Sequence, residues 1–147
     1  MTIVIGTVRS SILDEVRVGE TLDPFEYVIT QEMLDEYRAI VDNPSAAYPT
    51  VAGRHSLRAF VSRYGEGRAM NAGTDSTYFN PVVAGKRIRV EAKIVDKYVR
   101  REKPYIVVES TAIDEDGRLI EKSRLIAKAA QDAKPLFGEI AEKWEKP

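Results

Sequence analysis

The chain has 147 residues, enough for one domain to bury a core without disulfide or metal staples. Its 22 basic and 23 acidic side chains leave a net charge of −1, so no global field directs it to nucleic acid or to an anionic membrane surface. With no cysteine there is no disulfide, thiolate zinc site or cysteine nucleophile, and a single histidine excludes a histidine-rich metal site; neither metal nor cofactor is expected.

The first fourteen residues have no clear period and read as a loosely attached arm or short edge segment. Met1-Thr2-Ile3-Val4-Ile5 has no basic lead and no apolar run reaches bilayer length. Neither a signal peptide nor a membrane span is expected, and the cytoplasm is the expected compartment. Phe25-Glu26-Tyr27-Val28-Ile29 alternates and is rich in strand formers, which predicts a strand. Thr30 is a good N-cap, and Met33, Leu34, Tyr37, Ile40 and Val41 at helical spacing predict a short amphipathic helix over 31–41. Asp42-Asn43-Pro44-Ser45 ends it, because the residue before a proline is pushed out of the helical region. A second helix follows the 49–53 loop, with Leu57, Phe60, Val61 and Tyr64 as its expected buried stripe and Gly65 and Gly67 as its stop.

From Thr77 onward the period changes to two. Ile88, Val90, Ala92 and Ile94 alternate with Arg87, Arg89, Glu91 and Lys93, as in a strand with one wet face. Residues 105–113 form a second long strand, whose Ile106-Val107-Val108 run predicts burial on both faces. Asp114-Glu115-Asp116-Gly117 is an Asp-Gly turn into a third antiparallel strand over 118–130. Phe137, Ile140, Ala141 and Trp144 return to helical spacing, predicting a tail helix at 135–145. There is no repeat and no linker, so residues 1–147 are expected to be one domain with its core at about 15–130. A helix packed on an antiparallel sheet is an α+β architecture, and the pattern alone leaves several such folds open.

Two segments carry a resemblance. Val41-Asp42-Asn43-Pro44-Ser45-Ala46 resembles the Asp-x-Asn-Pro-x-His catalytic run of the MaoC-like, (R)-specific enoyl-thioester hydratases and dehydratases. The aspartate is displaced by one residue and Ala46 stands where the family has histidine. Pro81-Val82-Val83-Ala84-Gly85-Lys86 resembles the family's Pro-Val-x-x-Gly-Asp run before its first long strand, with Lys86 where aspartate is common. The match extends over most of residues 15–130 and is similar to the N-terminal or non-catalytic-subunit type of that family. It implies a single hotdog domain, an antiparallel sheet wrapped around a central helix. It also implies a substrate carried as a thioester on coenzyme A or an acyl carrier protein, in fatty acid or polyketide metabolism. Protomers of that family pair, so a homodimer, or a heterodimer with another hotdog subunit, is expected.

The resemblance makes Asp42 the candidate acid/base and Asn43 a structural hydrogen-bonder; both are equally good turn caps before Pro44. His55 is not at the family's histidine position but opens the second helix, where a positive dipole end favours a neutral imidazole suited to a general base. A lone histidine there is as readily a cap or a packed loop residue. Tyr48 is a third catalytic candidate, able to donate to a carbonyl or a leaving hydroxyl, or else an aromatic that closes the loop. Gly53 and Arg54 are the candidate amides for the thioester carbonyl, whose developing oxyanion a helix N-terminus stabilises. Arg100-Arg101-Glu102-Lys103 is either a contact for coenzyme A phosphates or a carrier protein, or a solvated hairpin tip.

Three readings follow. One is a hydro-lyase adding or removing water across an enoyl or 3-hydroxyacyl thioester through Asp42 and His55. Another is a non-catalytic subunit that shapes the acyl tunnel of an active partner, for which Ala46 is the signature. The last is another reaction on the same fold; simple thioester hydrolysis ranks lowest, because no carboxylate lies between Gly53 and Gly65.

Overall fold

The computed structural model describes residues 9–44 and 54–132. In chain order they form α1 (Ser11–Glu15), β1 (Phe25–Val28), α2 (Gln31–Ile40), α3 (His55–Tyr64), β2 (Ala69–Tyr78), β3 (Arg87–Arg100), β4 (Lys103–Asp114) and β5 (Leu119–Ala129). The strands make one sheet of order β1-β3-β4-β5-β2, antiparallel at every pairing, with α3 packed across β3, β4 and β5. The α+β architecture is the expected one.

The two-residue period of β3 becomes a wall. Ile88, Val90, Ala92 and Ile94 are buried while Arg87, Arg89, Glu91 and Lys93 are exposed. Ile106, Val107 and Val108 are buried consecutively, as their run predicts, and lie opposite a bulge between Ile94 and Asp96. At the β4–β5 corner, Asp114 Oδ1 accepts from the Asp116 and Arg118 amides, and Gly117 takes a φ of 80° that a Cβ would penalise. Thr30 caps α2 by accepting from the Met33 amide at 3.1 Å. Both central residues of the β3–β4 connection, Arg101 and Glu102, have positive φ, the geometry of a two-residue type I′ hairpin. The basic run therefore sits at an exposed hairpin tip.

Three expectations change. From Ser10 onward the amino-terminal segment is no loose arm: Ser10 caps α1, and Ile12 and Val16 are fully buried in the core beside Phe60, while residues 1–8 of the expected arm lie outside the described residues. Lys97 Nζ donates to the carbonyls of Leu13 and Val16 at 2.8 Å each, closing the end of that helix with a positive charge. A five-residue helix is too short for its period to be read. Next, β2 starts at Ala69 rather than near Thr77, and its Asn71, Gly73, Thr74, Asp75 and Ser76 are poor strand formers held by pairing to β5. Last, the buried face of α3 is His55, Ser56, Ala59 and Phe60; Leu57, Val61 and Tyr64 are only half-buried. The small Ser56 and Ala59 let the helix approach the sheet closely enough for Ser56 Oγ to donate to Ser110 Oγ at 2.8 Å. The expected tail helix at 135–145 lies outside the described residues.

Candidate functional site

The rotated face of α3 puts the only histidine inside the protein. Arg54 precedes it in the left-handed region, with a φ of 55° that costs an ordinary side chain about 1–2 kcal/mol. The helix starts abruptly there, and His55 is packed against the sheet with 1% of its surface exposed. Its Nδ1 lies 2.6 Å from Glu121 Oε1 on β5, and its Nε2 lies 2.5 Å from the Tyr27 hydroxyl on β1. His55 thus bridges two strands that the sheet order separates by β3 and β4.

Burial, and next the Glu121 carboxylate, push the Tyr27 phenol well above its ordinary value, with a smaller opposing pull from Arg58. The phenol keeps its proton and donates it toward Nε2; the Nδ1 hydrogen goes to Glu121, which accepts. Arg58 lies over the outer side of this group, its guanidinium 4.5 Å from the Phe25 ring centroid and 5.3 Å from that of Tyr27. Such a contact contributes about 0.5–1 kcal/mol at a site of this exposure. A buried histidine–carboxylate pair does little for stability as a pair, but losing one partner strands the other at a cost of about 3–5 kcal/mol.

Glu121 also faces a cavity of about 300 Å³ under the β2 edge. Arg54, Ser56 and Leu57 form its wall at the start of α3, and Thr74, Ser76 and Tyr78 form its wall on β2. Ser123 and Leu125 continue the β5 side from Glu121. Burial and the Glu121 carboxylate raise the Tyr78 phenol above its ordinary value, so it too stays protonated. The Arg54 side chain makes no capping bond to α3, and the first intrahelical bond runs from the Arg58 amide to the Arg54 carbonyl at 2.8 Å. The start of a helix leaves its opening amides for another acceptor, with the positive end of the dipole behind them. A carboxylate on one wall and a helix N-terminus on another suit a substrate that develops negative charge on a carbonyl oxygen. A larger groove of about 580 Å³ crosses the other face of the sheet between charged rows that include Lys93, Glu109 and Arg124.

The expected site residues are distributed unevenly. Asp42 is exposed just past α2, in the left-handed region at a φ of 52°, and its amide and that of Asn43 cap the helix through the carbonyls of Ala39 and Arg38. His55 bonds Tyr27 and Glu121 rather than Asp42. Arg54 is at the cavity, whereas Tyr48 and Gly53, together with Ala46, lie outside the described residues. Two members of the buried group, Tyr27 and Glu121, were not singled out from sequence. The signal for Glu121 was its phase: it falls on the β5 face that continues through Ser123, Leu125, Ala127 and Ala129, where a carboxylate needs a partner. Tyr27 likewise shares a face with Phe25, and their rings stack at 6.2 Å.

No family model and no curated sequence matches this chain. Solved structures do. A MaoC-like dehydratase from Rhodospirillum rubrum superposes with a TM-score of 0.66 at 15% identity, covering 82% of this chain and 97% of that one. A Thermus thermophilus thioesterase superfamily member gives 0.62 at 22% identity over 90% of this chain and 98% of that one. A chain of the HadBC (3R-hydroxyacyl-ACP dehydratase) complex of Mycobacterium tuberculosis gives 0.55 at 14% identity, over 76% and 96%. The five-stranded antiparallel sheet around α3 is accordingly a hotdog fold, structurally similar to that of the MaoC-like dehydratases.

Proposed function

We propose that this protein binds an acyl thioester in the cavity under β2 and adds or removes water across its C2–C3 bond, with Glu121 as the acid/base. The observation that carries this reading is the double position of Glu121: it walls the cavity and is hydrogen-bonded at 2.6 Å to a histidine that is itself buried. The thioester carbonyl would accept from the opening amides of α3, next to Arg54. Glu121 would take a proton from water as the water oxygen bonds C3, and the C2–C3 electron pair would move onto the carbonyl oxygen. Return of that proton to C2 completes hydration, and the reverse sequence is dehydration. His55 and Tyr27 then act through Glu121, holding one carboxylate oxygen so that the other is aimed at substrate.

The test is hydration of crotonyl-coenzyme A by the purified chain, followed by loss of the conjugated thioester absorbance. Glu121→Gln keeps an acceptor for Nδ1 and should lower kcat about 10²–10⁴-fold, the ordinary contribution of a general acid/base. Asp42→Asn should leave the rate within about twofold on this reading. The opposite result would return the acid/base role to Asp42, where the family resemblance puts it.

A second reading has its own observation in favour. The only histidine has both ring nitrogens engaged by side chains, and Asp42 is exposed at the end of α2. A chain of that kind would serve as a non-catalytic subunit beside an active hotdog partner, as a homodimer does not require. It predicts no turnover by the folded chain alone and turnover on adding a partner with an intact Asp-x-Asn-Pro-x-His run. The thioester carrier, coenzyme A or acyl carrier protein, is common to both readings.

A further inference from the structure

We propose that Tyr78 is a second catalytic residue beside Glu121, its phenol donating a hydrogen bond to the oxygen that bonds C3; this rests on the hydro-lyase reading above. The sheet register carries the argument. Tyr78 of β2 stands directly opposite Glu121 of β5, and both side chains line the cavity. Directly opposed residues of an antiparallel pair have Cβ atoms about 4.5–5.5 Å apart, so both can reach one small group between them. Burial, and next the Glu121 carboxylate, keep the phenol protonated, against a smaller pull from its hydrogen bond with Ser76. Across one strand pairing the cavity thus offers a carboxylate that accepts and a hydroxyl that donates.

The succession of walls gives each group its atom. α3 supplies the opening amides, β5 the carboxylate and β2 the phenol, and β5 is the strand that meets both α3 and β2. With the thioester carbonyl on α3 and the C2 proton at Glu121, the oxygen on C3 comes next, beside β2. In dehydration Glu121 takes the C2 proton, the C–H electron pair becomes the C2–C3 double bond, and the C3–O pair leaves on oxygen. That oxygen takes the proton from Glu121 and departs as water, so Tyr78 gives up no proton. Its hydrogen bond instead meets the negative charge that develops on the leaving oxygen, and strengthens toward the transition state. In hydration the same hydroxyl holds the incoming water against C3, within reach of Glu121.

Two eliminations by the full chain test this, each read as the rise of conjugated thioester absorbance. One is loss of water from 3-hydroxybutyryl-coenzyme A, the other loss of hydrogen chloride from 3-chlorobutyryl-coenzyme A. Chloride leaves with the C3–Cl pair and needs no donor from the protein, so its loss reports proton removal at C2 alone. Tyr78→Phe keeps the ring in the cavity wall and should melt as wild type does. It should lower kcat for water loss about 10–100-fold with KM within about twofold, as when a donor to a developing charge is removed. Chloride loss by the same variant should stay within about twofold of wild type, whereas Glu121→Gln should slow both eliminations. An equal fall on both substrates in Tyr78→Phe would mean that Tyr78 only supports Glu121, and undiminished water loss would remove the phenol from the reaction. Either result overturns the inference and leaves the hydro-lyase reading intact. A wild type that turns over neither substrate overturns that reading itself.

Discussion

At the scale of single residues, Tyr27, His55 and Glu121 behave as one unit, and its proton inventory has a consequence for stability. Burial and the Glu121 carboxylate raise the Tyr27 phenol in the folded protein, while in the unfolded chain it ionises near the ordinary ~10. Above that pH the unfolded chain has released a proton the folded one still holds, so unfolding becomes easier as pH rises. Tyr27 therefore contributes stability that is intact below pH ~10 and lost above it, at up to about 1.4 kcal/mol per pH unit. Urea midpoints of wild type and Tyr27→Phe measured from pH 8 to 11 should converge, wild type falling more steeply over the last unit. Parallel curves would mean that the phenol ionises alike in both states. None of this was visible from the histidine alone. Its position at the start of a helix was legible, but its partners lie 28 residues before and 66 residues after it, on strands whose pairing only the whole sheet defines.

At the scale of elements, legibility followed length and phase. β3 and β5 carry long two-residue alternations and α2 has a cap and a stripe, so each was readable to within a residue or two. β2 was missed because an edge strand paired on one side needs little side-chain packing, and its Asn, Gly, Thr, Asp and Ser read as loop. α3 was placed correctly but turned, since Ser56 and Ala59 look too small to define a buried face although close approach to the sheet requires them. α1 is the sharpest case. It is held by Ser10 Oγ donating to the Ala130 carbonyl at 2.7 Å, by Ser11 donating to Asp132, and by the Glu15–Arg68 ion pair. Those bonds are worth little without Ile12, which is 1% exposed and packed with Val16, Leu22 and Phe60. Ile12→Ala should cost about 2–5 kcal/mol in chemical denaturation, the range for a buried large-to-small change. A loss under about 0.5 kcal/mol, the level of an exposed substitution, would restore the loose-arm reading.

At the scale of the molecule, the cavity and the sheet edge meet at β2. One side of that strand pairs with β5, and among the described strands the other side ends the sheet. Native edges are usually blunted by lysine, proline or a covering element, yet this one presents Met70 at 64% exposure and, among its ten residues, no basic side chain at all. The only acidic one, Asp75, stands opposite Arg124 of β5 in the register, and Arg124 itself pairs with Glu109 at 3.5 Å. An edge of this kind is built to be covered, and two copies meeting there would bring their cavities to one interface, because Thr74, Ser76 and Tyr78 line the cavity from the same strand. The chain should therefore sediment at twice its mass at micromolar concentration. Met70→Lys, which puts a charge on the edge without touching the cavity wall, should shift it toward the monomer and weaken thioester binding in parallel. A monomeric wild type, or a monomeric variant that binds thioester as tightly as the dimer, would detach the site from the pairing and leave one protomer sufficient.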